Sequence, residues 1–275
     1  GLALKPDVVF ITNPTVFHLE HARQALTAGC HVFIEKPVSH TLDGIDELER
    51  IAREKDRVVF VGYQLRFHPI LRSIKERVDK GVIGKPLGAH ITVGQYLPDW
   101  HPNEDYRTSY AARRELGGGA ILTLSHELDY ALWFLGPAHS VYCLGGHTST
   151  LSLDVEDMAK MLIEFKSGCI ADIHIDYLQR PPRRTFQLVG EKGKIEWDYF
   201  SDRAKIYTYA SEKVVELSVP IGFEMNTMYR EEVAQFIRAI QGMEPPFSSL
   251  ADGIATLTLA CAALTSLERK ALITL

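Results

Sequence analysis

The first 64 residues switch back and forth between two periodicities, and that alternation limits the folds open to the chain. Residues 7–11 (Asp-Val-Val-Phe-Ile), 32–34 (Val-Phe-Ile) and 58–61 (Val-Val-Phe-Val) are short continuous apolar runs. Runs of this length, rich in β-branched and aromatic residues, read as strands buried on both faces of a parallel sheet. Between them, residues 16–28 and 42–55 carry apolar residues at helical spacing. Gly29 is placed to end the first of these helices and Thr41 to cap the second. Strand, helix, strand, helix, strand with short connections is a parallel α/β unit with right-handed crossovers.

The pattern changes after residue 66. A helix is predicted over 69–80, closed by Gly81-Val82-Ile83-Gly84, then a strand over 87–96 and a polar loop over 97–116. Gly117-Gly118-Gly119 introduces an apolar helix over 126–135. Residues 140–219 alternate like strands of a largely antiparallel sheet, with turn signals at 166–168 and 191–193. Two helices, 229–240 and 251–269, are expected to follow. The fold class is therefore α/β: a partial Rossmann-like parallel sheet in residues 1–66, then an α+β domain with a large, mostly antiparallel open sheet in residues 67–275. No GxGxxG turn accompanies the parallel strands: Gly117–Gly119 lacks the spacing, and Gly190 and Gly193 sit among strand signals.

Composition narrows the function classes. The formal charge of −5 argues against a general nucleic-acid binder, and no apolar run is expected to approach the ~20 residues of a membrane helix. The sequence opens directly on a strand pattern, without the look of a secretory leader. Cys30, Cys143, Cys169 and Cys261 are scattered with no CxxC pair, which fits free thiols in a reducing cytoplasm and no metal site.

Ligands of open parallel sheets bind beyond the carboxyl ends of the strands. Those ends read Thr12-Asn13-Pro14, Glu35-Lys36-Pro37, and Gly62-Tyr63-Gln64 with Arg66. Lys36 is the candidate chemical centre, because an ammonium group at a strand end can exchange a proton with a substrate hydroxyl. Pro37 fixes the local backbone, with a cis peptide bond as one way of doing so. A solvated Glu35–Lys36 loop is the competing reading.

The segment "PDVVFITNP…FHLEHARQALTAGCHVFIEKP" resembles the Gfo/Idh/MocA family of oxidoreductases. "VGYQLRFHP", "GVIGKP", "GGGAILTLSHELDYALWFLG" and "GEKGKIEWD" fit the same family in the same order, so the resemblance covers essentially the whole chain. It implies an NAD- or NADP-dependent dehydrogenase acting on a secondary alcohol of a sugar, sugar derivative or cyclitol, assembled as a homodimer or homotetramer. It further implies that Lys36 and His126 are catalytic and handle the proton. Thr12, Asn13, Pro14, His18, Glu35, Lys36, Pro37 and Gln64 would line the cofactor groove, and Arg66, Thr123 and His126 would face the substrate. Two departures stand out: Thr123 occupies a place where the family often has an aspartate, and the glycine fingerprint is absent. A full member would carry roughly two more βα units upstream, each of ~30 residues.

Other features compete with bland readings. His126-Glu127-Leu128-Asp129 has the look of a zinc HExxH helix, but the second histidine is an aspartate. The loop over 98–110, with Trp100, Tyr106 and Arg107, is read as a substrate wall, an ordinary packed loop being the alternative. Pro181-Pro182-Arg183-Arg184 reads as a solvated turn, with an anion site as the alternative. Besides the dehydrogenase, two functions remain open at this stage. One is a truncated, inactive binding or scaffold relative that oligomerises through its sheet. The other is a lyase or aldolase using Lys36 as a Schiff base.

Overall fold

The computed structural model describes residues 1–211 and 213–275. Three parallel strands, β1 (Val8–Ile11), β2 (His31–Glu35) and β3 (Val59–Gly62), lie side by side in that order. α1 (His18–Thr27) and α2 (Ile45–Glu54) are the crossovers. Gly29, at φ +88°, occupies the left-handed position after α1. The second helix begins three residues later than expected: Gly44, at φ +81°, precedes it and Thr41 makes no cap, so the turn from 41 to 44 replaces its first turn.

β2 and β3 are buried, as their composition requires. β1 is less so: of the two outer strands, β3 is covered by α7, whereas in β1 only Ile11 is buried and Phe10 is 47% exposed. An unbroken apolar run marks a strand that fits a two-sided interior, but it carries no information about which strand has a neighbour. One face of this small sheet is covered by α6 (Met225–Ile240), whose Phe236 packs within 5.6–5.8 Å of Phe10, Phe33 and Phe60.

The second sheet has nine strands in the order β11-β10-β9-β8-β4-β7-β6-β5-β12. They are β4 (Pro86–Gly94), β5 (Ala138–Gly146), β6 (Met158–Phe165), β7 (Ile170–Asp176), β8 (Arg183–Gly190), β9 (Gly193–Asp198), β10 (Arg203–Thr208), β11 (Val214–Ser218) and β12 (Ile273–Thr274). Every pairing is antiparallel except β4 with β7. The short β12 gives no periodic signal at two residues. The short α4 (Ala120–Thr123) and α5 (His126–Leu135) pack on the large sheet, and α3 (Pro69–Asp79) packs against α5. The polar loop of 97–116 is four 3₁₀ turns rather than irregular chain.

α7 (Leu250–Arg269) begins with a capping box, Ser249 and Asp252 each bonding the other's backbone N–H. At 20 residues it is long and apolar enough to cross a membrane by length and composition, which corrects the expectation that no such run exists. Its buried positions, among them Gly253, Leu257, Ala260 and Ala263, pack on β3, β5 and α5. The approach to β3 is close: a Cβ at Gly253 would lie 2.7 Å from Val61 Cγ2. One face of the nine-stranded sheet is thereby covered. The other carries Leu144, Leu162 and Ile170, each more than half exposed.

Candidate active site

The register of the small sheet aligns its carboxyl ends. Ile11 pairs with Ile34, and Glu35 with Gly62, which brings Thr12–Asn13, Glu35–Lys36 and Tyr63–Gln64 to one rim. The Lys36–Pro37 peptide is cis. Lys36 leaves the rim toward the segment joining α4 to α5, where its Nζ donates to the Thr123 carbonyl at 2.7 Å. Three residues on, His126 opens α5, only 5% exposed and with Nδ1 enclosed and unpartnered. Its ring lies 5.6 Å from that of Tyr63 in an edge arrangement. Burial, and then the positive charges of Lys36 and Arg184, hold His126 well below the ordinary histidine range. A neutral imidazole beside an ammonium group is a donor–acceptor pair suited to moving a hydroxyl proton.

The triple glycine makes this junction possible. A Cβ at Gly118 would overlap the Tyr110 carbonyl, and Gly119, at φ +107°, leaves the space that the Glu156 carboxylate fills. That carboxylate accepts from the Ile121 N–H at 3.0 Å, at the start of α4. Burial pushes Glu156 up to about 6.

His18 is buried, one ring nitrogen bonded to the Pro37 carbonyl at 2.8 Å and the other to that of Asn13 at 2.7 Å, so it staples two strand ends together. Asn13 bonds His21, Thr12 is exposed, Pro14 half-buried and Pro37 buried. Glu35 accepts from the Lys36 N–H at 3.3 Å; burial raises it, Lys36 opposing. Gln64 donates to the Tyr229 hydroxyl at 3.2 Å.

Arg66 does not reach the cleft. It is 4% exposed, its Nε and Nη2 grip Asp129 at 2.8–3.2 Å, its Nη1 donates to the Phe247 carbonyl, and Asp252 lies at 3.2 Å. Every edge of the guanidinium is engaged, so it ties the end of β3 to α5 and α7. Asp129 is the other half of that tie.

The loop residues are partly turned away. Trp100 packs edge-on against Tyr177 at 5.5 Å. Tyr106 accepts from the Ser152 N–H, and Arg107 is exposed in a bidentate pair with Asp105. Thr123 is buried, its backbone carbonyl rather than its side chain meeting Lys36.

Glu127 and Glu232 escaped the sequence reading, and Arg184, read within a solvated turn with an anion site as the alternative, lies instead in β8. Glu127, fully buried beside His126, accepts from Arg184 Nε at 2.8 Å. Glu232, on α6, is 1% exposed with Oε1 unpartnered, and burial followed by the charges of Glu35 and Asp129 pushes it up to about 9. Arg184 had one legible signal: on β8 the inward positions are Arg184, Phe186 and Leu188, a cation at the head of an apolar alternation.

A nicotinamide dinucleotide finds half of its cradle here. The strand-end rim with Glu35 and Lys36 is of the right chemistry for a nicotinamide and its ribose, whereas neither strand–helix turn of the small sheet, 12–17 or 36–44, holds a glycine pyrophosphate loop.

Comparison with known proteins converges on the same chemistry. A family model described as "Oxidoreductase family, NAD-binding Rossmann fold" matches residues 2–63, and one described as "GFO/IDH/MocA C-terminal domain" matches residues 71–196. The uncharacterized oxidoreductase YrbE of Bacillus subtilis is 30% identical over 249 residues, covering 85% of this chain and 68% of its own. The myo-inositol 2-dehydrogenase of Thermotoga maritima is 29% identical over 282 residues, covering 96% of this chain and 78% of its own. In fold, a levoglucosan dehydrogenase solved with NADH and levoglucosan superposes with a TM-score of 0.88 at 21% identity, over 98% of this chain and 80% of that one. With both segments matched and a 30% identical relative covered over two thirds of its length, the chain belongs to the Gfo/Idh/MocA family of NAD-binding oxidoreductases.

Proposed function

We propose that this chain is a dehydrogenase moving a hydride between NAD or NADP and a secondary alcohol of a sugar, sugar derivative or cyclitol, with Lys36 and His126 handling the proton. The observation that carries this reading is the 2.7 Å bond from Lys36 Nζ to the Thr123 carbonyl, which sets an ammonium group from one sheet at the start of the helix that opens with His126. Relatives named as myo-inositol 2-dehydrogenase, 1,5-anhydro-D-fructose reductase and D-glucoside 3-dehydrogenase support the substrate class.

The nicotinamide, when bound, supplies the hydride acceptor. The chain supplies the rest. Glu35 lies where the nicotinamide ribose would sit, with Thr12, Asn13, Pro14 and Gln64 along the same rim. Lys36 bonds the substrate hydroxyl and shuttles its proton, and His126, neutral at ordinary pH, accepts or orients it. The boundary between cofactor and substrate units falls at residue 66. The half-exposed apolar face of the large sheet is the contact through which copies would assemble, and the four unpaired thiols suit the cytoplasm.

The test is reduction of NAD or NADP with a panel of sugars and cyclitols. Lys36→Met should lower kcat by about 10²–10⁴, and His126→Asn by less. A Lys36→Met enzyme of unchanged kcat would sink the reading. An NADH titration followed by fluorescence tests the cofactor half of the reading.

A further inference from the structure

We infer that Arg184 is the substrate-recognition residue of this cleft, and that the sugar it receives carries an anionic oxyacid group, a carboxylate or a phosphate. The inference rests on the reading of Lys36 and His126 as the reacting groups and names the substrate class they serve.

Arg184 stands at the head of β8 on the face that α5 covers, in line with the buried Phe186 and Leu188. Arginine in that row costs desolvation unless its donors are used. Its Nε donates to Glu127 Oε1 at 2.8 Å, and its guanidinium lies 5.6 Å from the Tyr199 ring centroid. Among the described residues, Nη1 and Nη2 have no acceptor. Arg66 provides the contrast inside the same protein: there all three nitrogens are bonded and 4% of the side chain is exposed, whereas Arg184 keeps 18%. One guanidinium is closed, and the other offers the two-pronged edge that matches a carboxylate or phosphate.

Glu127 fixes the stem of the arginine through its Nε while leaving the fork open. A neutral sugar would leave that fork to water, while an anionic one would satisfy it.

The experiment is calorimetric titration of the intact protein, with and without saturating NADH, using glucose, glucuronate and glucose 6-phosphate. At least one anionic sugar should bind about 30-fold or more tighter than glucose, the size expected of a charge-assisted pair in a partly buried site. Preference for glucuronate identifies a carboxylate group, and preference for the phosphate ester the other source. Arg184→Met should abolish the preference. Arg184→Lys keeps the charge beside Glu127 and loses the planar fork, so it should lose about tenfold or more of the preference; it also serves should the methionine variant not fold. Equal binding of the three sugars, no binding of any, or a preference undiminished in Arg184→Lys would each overturn the proposal. Selective binding without dehydrogenation would sink the reaction proposed above and leave the role of Arg184 standing. Dehydrogenation without selectivity would do the reverse.

Discussion

Glu232→Gln should stabilise this protein, and increasingly so as the pH rises. Glu232 is 1% exposed, its Oε1 is unpartnered, and Glu35 and Asp129 face it from β2 and α5. Burial and those two charges push it up to about 9 from its ordinary 4.5. Between those values the native protein holds a proton that the unfolded chain has lost. Stability therefore falls with rising pH by about 1.4 kcal/mol per unit. Near pH 7 the accumulated cost is about 3 kcal/mol, near pH 5 below about 1 kcal/mol, and near pH 8.5 about 5 kcal/mol. Glutamine keeps the shape and removes the titration. Urea unfolding of both proteins at those three pH values measures the difference directly. A gap that does not change with pH, or a variant less stable by the same amount throughout, would mean that Glu232 is ionised and paired, and the reasoning would fail.

The remaining predictions concern burial of other polar groups. His68 has no solvent exposure and no partner on either ring nitrogen, sits among Trp197, Tyr199 and Phe223, and is held down to about 4 by burial and then by Arg184. The unfolded chain takes up this proton first as the pH drops below 6.5, so stability is kept above that value and about 3 kcal/mol is lost on the way down to 4; His68→Leu should flatten that part of the Tm-against-pH curve. Asp129→Asn strips the partner from a buried guanidinium and should cost about 3–5 kcal/mol in urea unfolding, where a loss under about 1 kcal/mol would show that Asp252 alone suffices. Gly118→Ala forces a methyl group against the Tyr110 carbonyl, so kcat should fall through displacement of the α4–α5 junction even where the protein remains folded by circular dichroism.

What the sequence disclosed, and what it withheld, follows from the range of the physics involved. Strand and helix identity in 7–61 was legible because periodicity is local, and so was the His126 helix behind its glycines. The edge position of β1 was not, since Phe10 reads the same whether or not a neighbouring strand covers it. Lys36 and His126 were singled out by motif, and the Lys36 ammonium meets the Thr123 backbone three residues before His126, a contact no side-chain pattern encodes. Arg66 was misplaced for the same reason: an arginine at a strand end is equally consistent with a substrate fork and with a buried tie, and only the positions of Asp129, Phe247 and Asp252, between 63 and 186 residues away, decide it. Glu232 and Glu127 are acidic residues on helices, ordinary in sequence and exceptional only once enclosed.

These buried charges also explain how two separate sheets present one site. Lys36 comes from the rim of the small sheet and Arg184 from the head of a strand in the large one, and each meets the α4–α5 segment, at the Thr123 carbonyl and at Glu127. Arg66 then binds the same helix from the small sheet, two residues further along at Asp129. Hydrophobic packing alone would let α5 slide by fractions of an ångström at little cost, because it is non-directional. Three directional contacts at 123, 127 and 129 remove that freedom around His126. Buried ion pairs are a poor source of stability beside an apolar replacement, so their concentration on this one helix is better understood as positioning. On that argument Arg66→Met paired with Asp129→Leu should recover most of the stability lost by either single change, yet leave kcat depressed with KM little altered. Recovery of both stability and kcat would show that packing suffices to place His126.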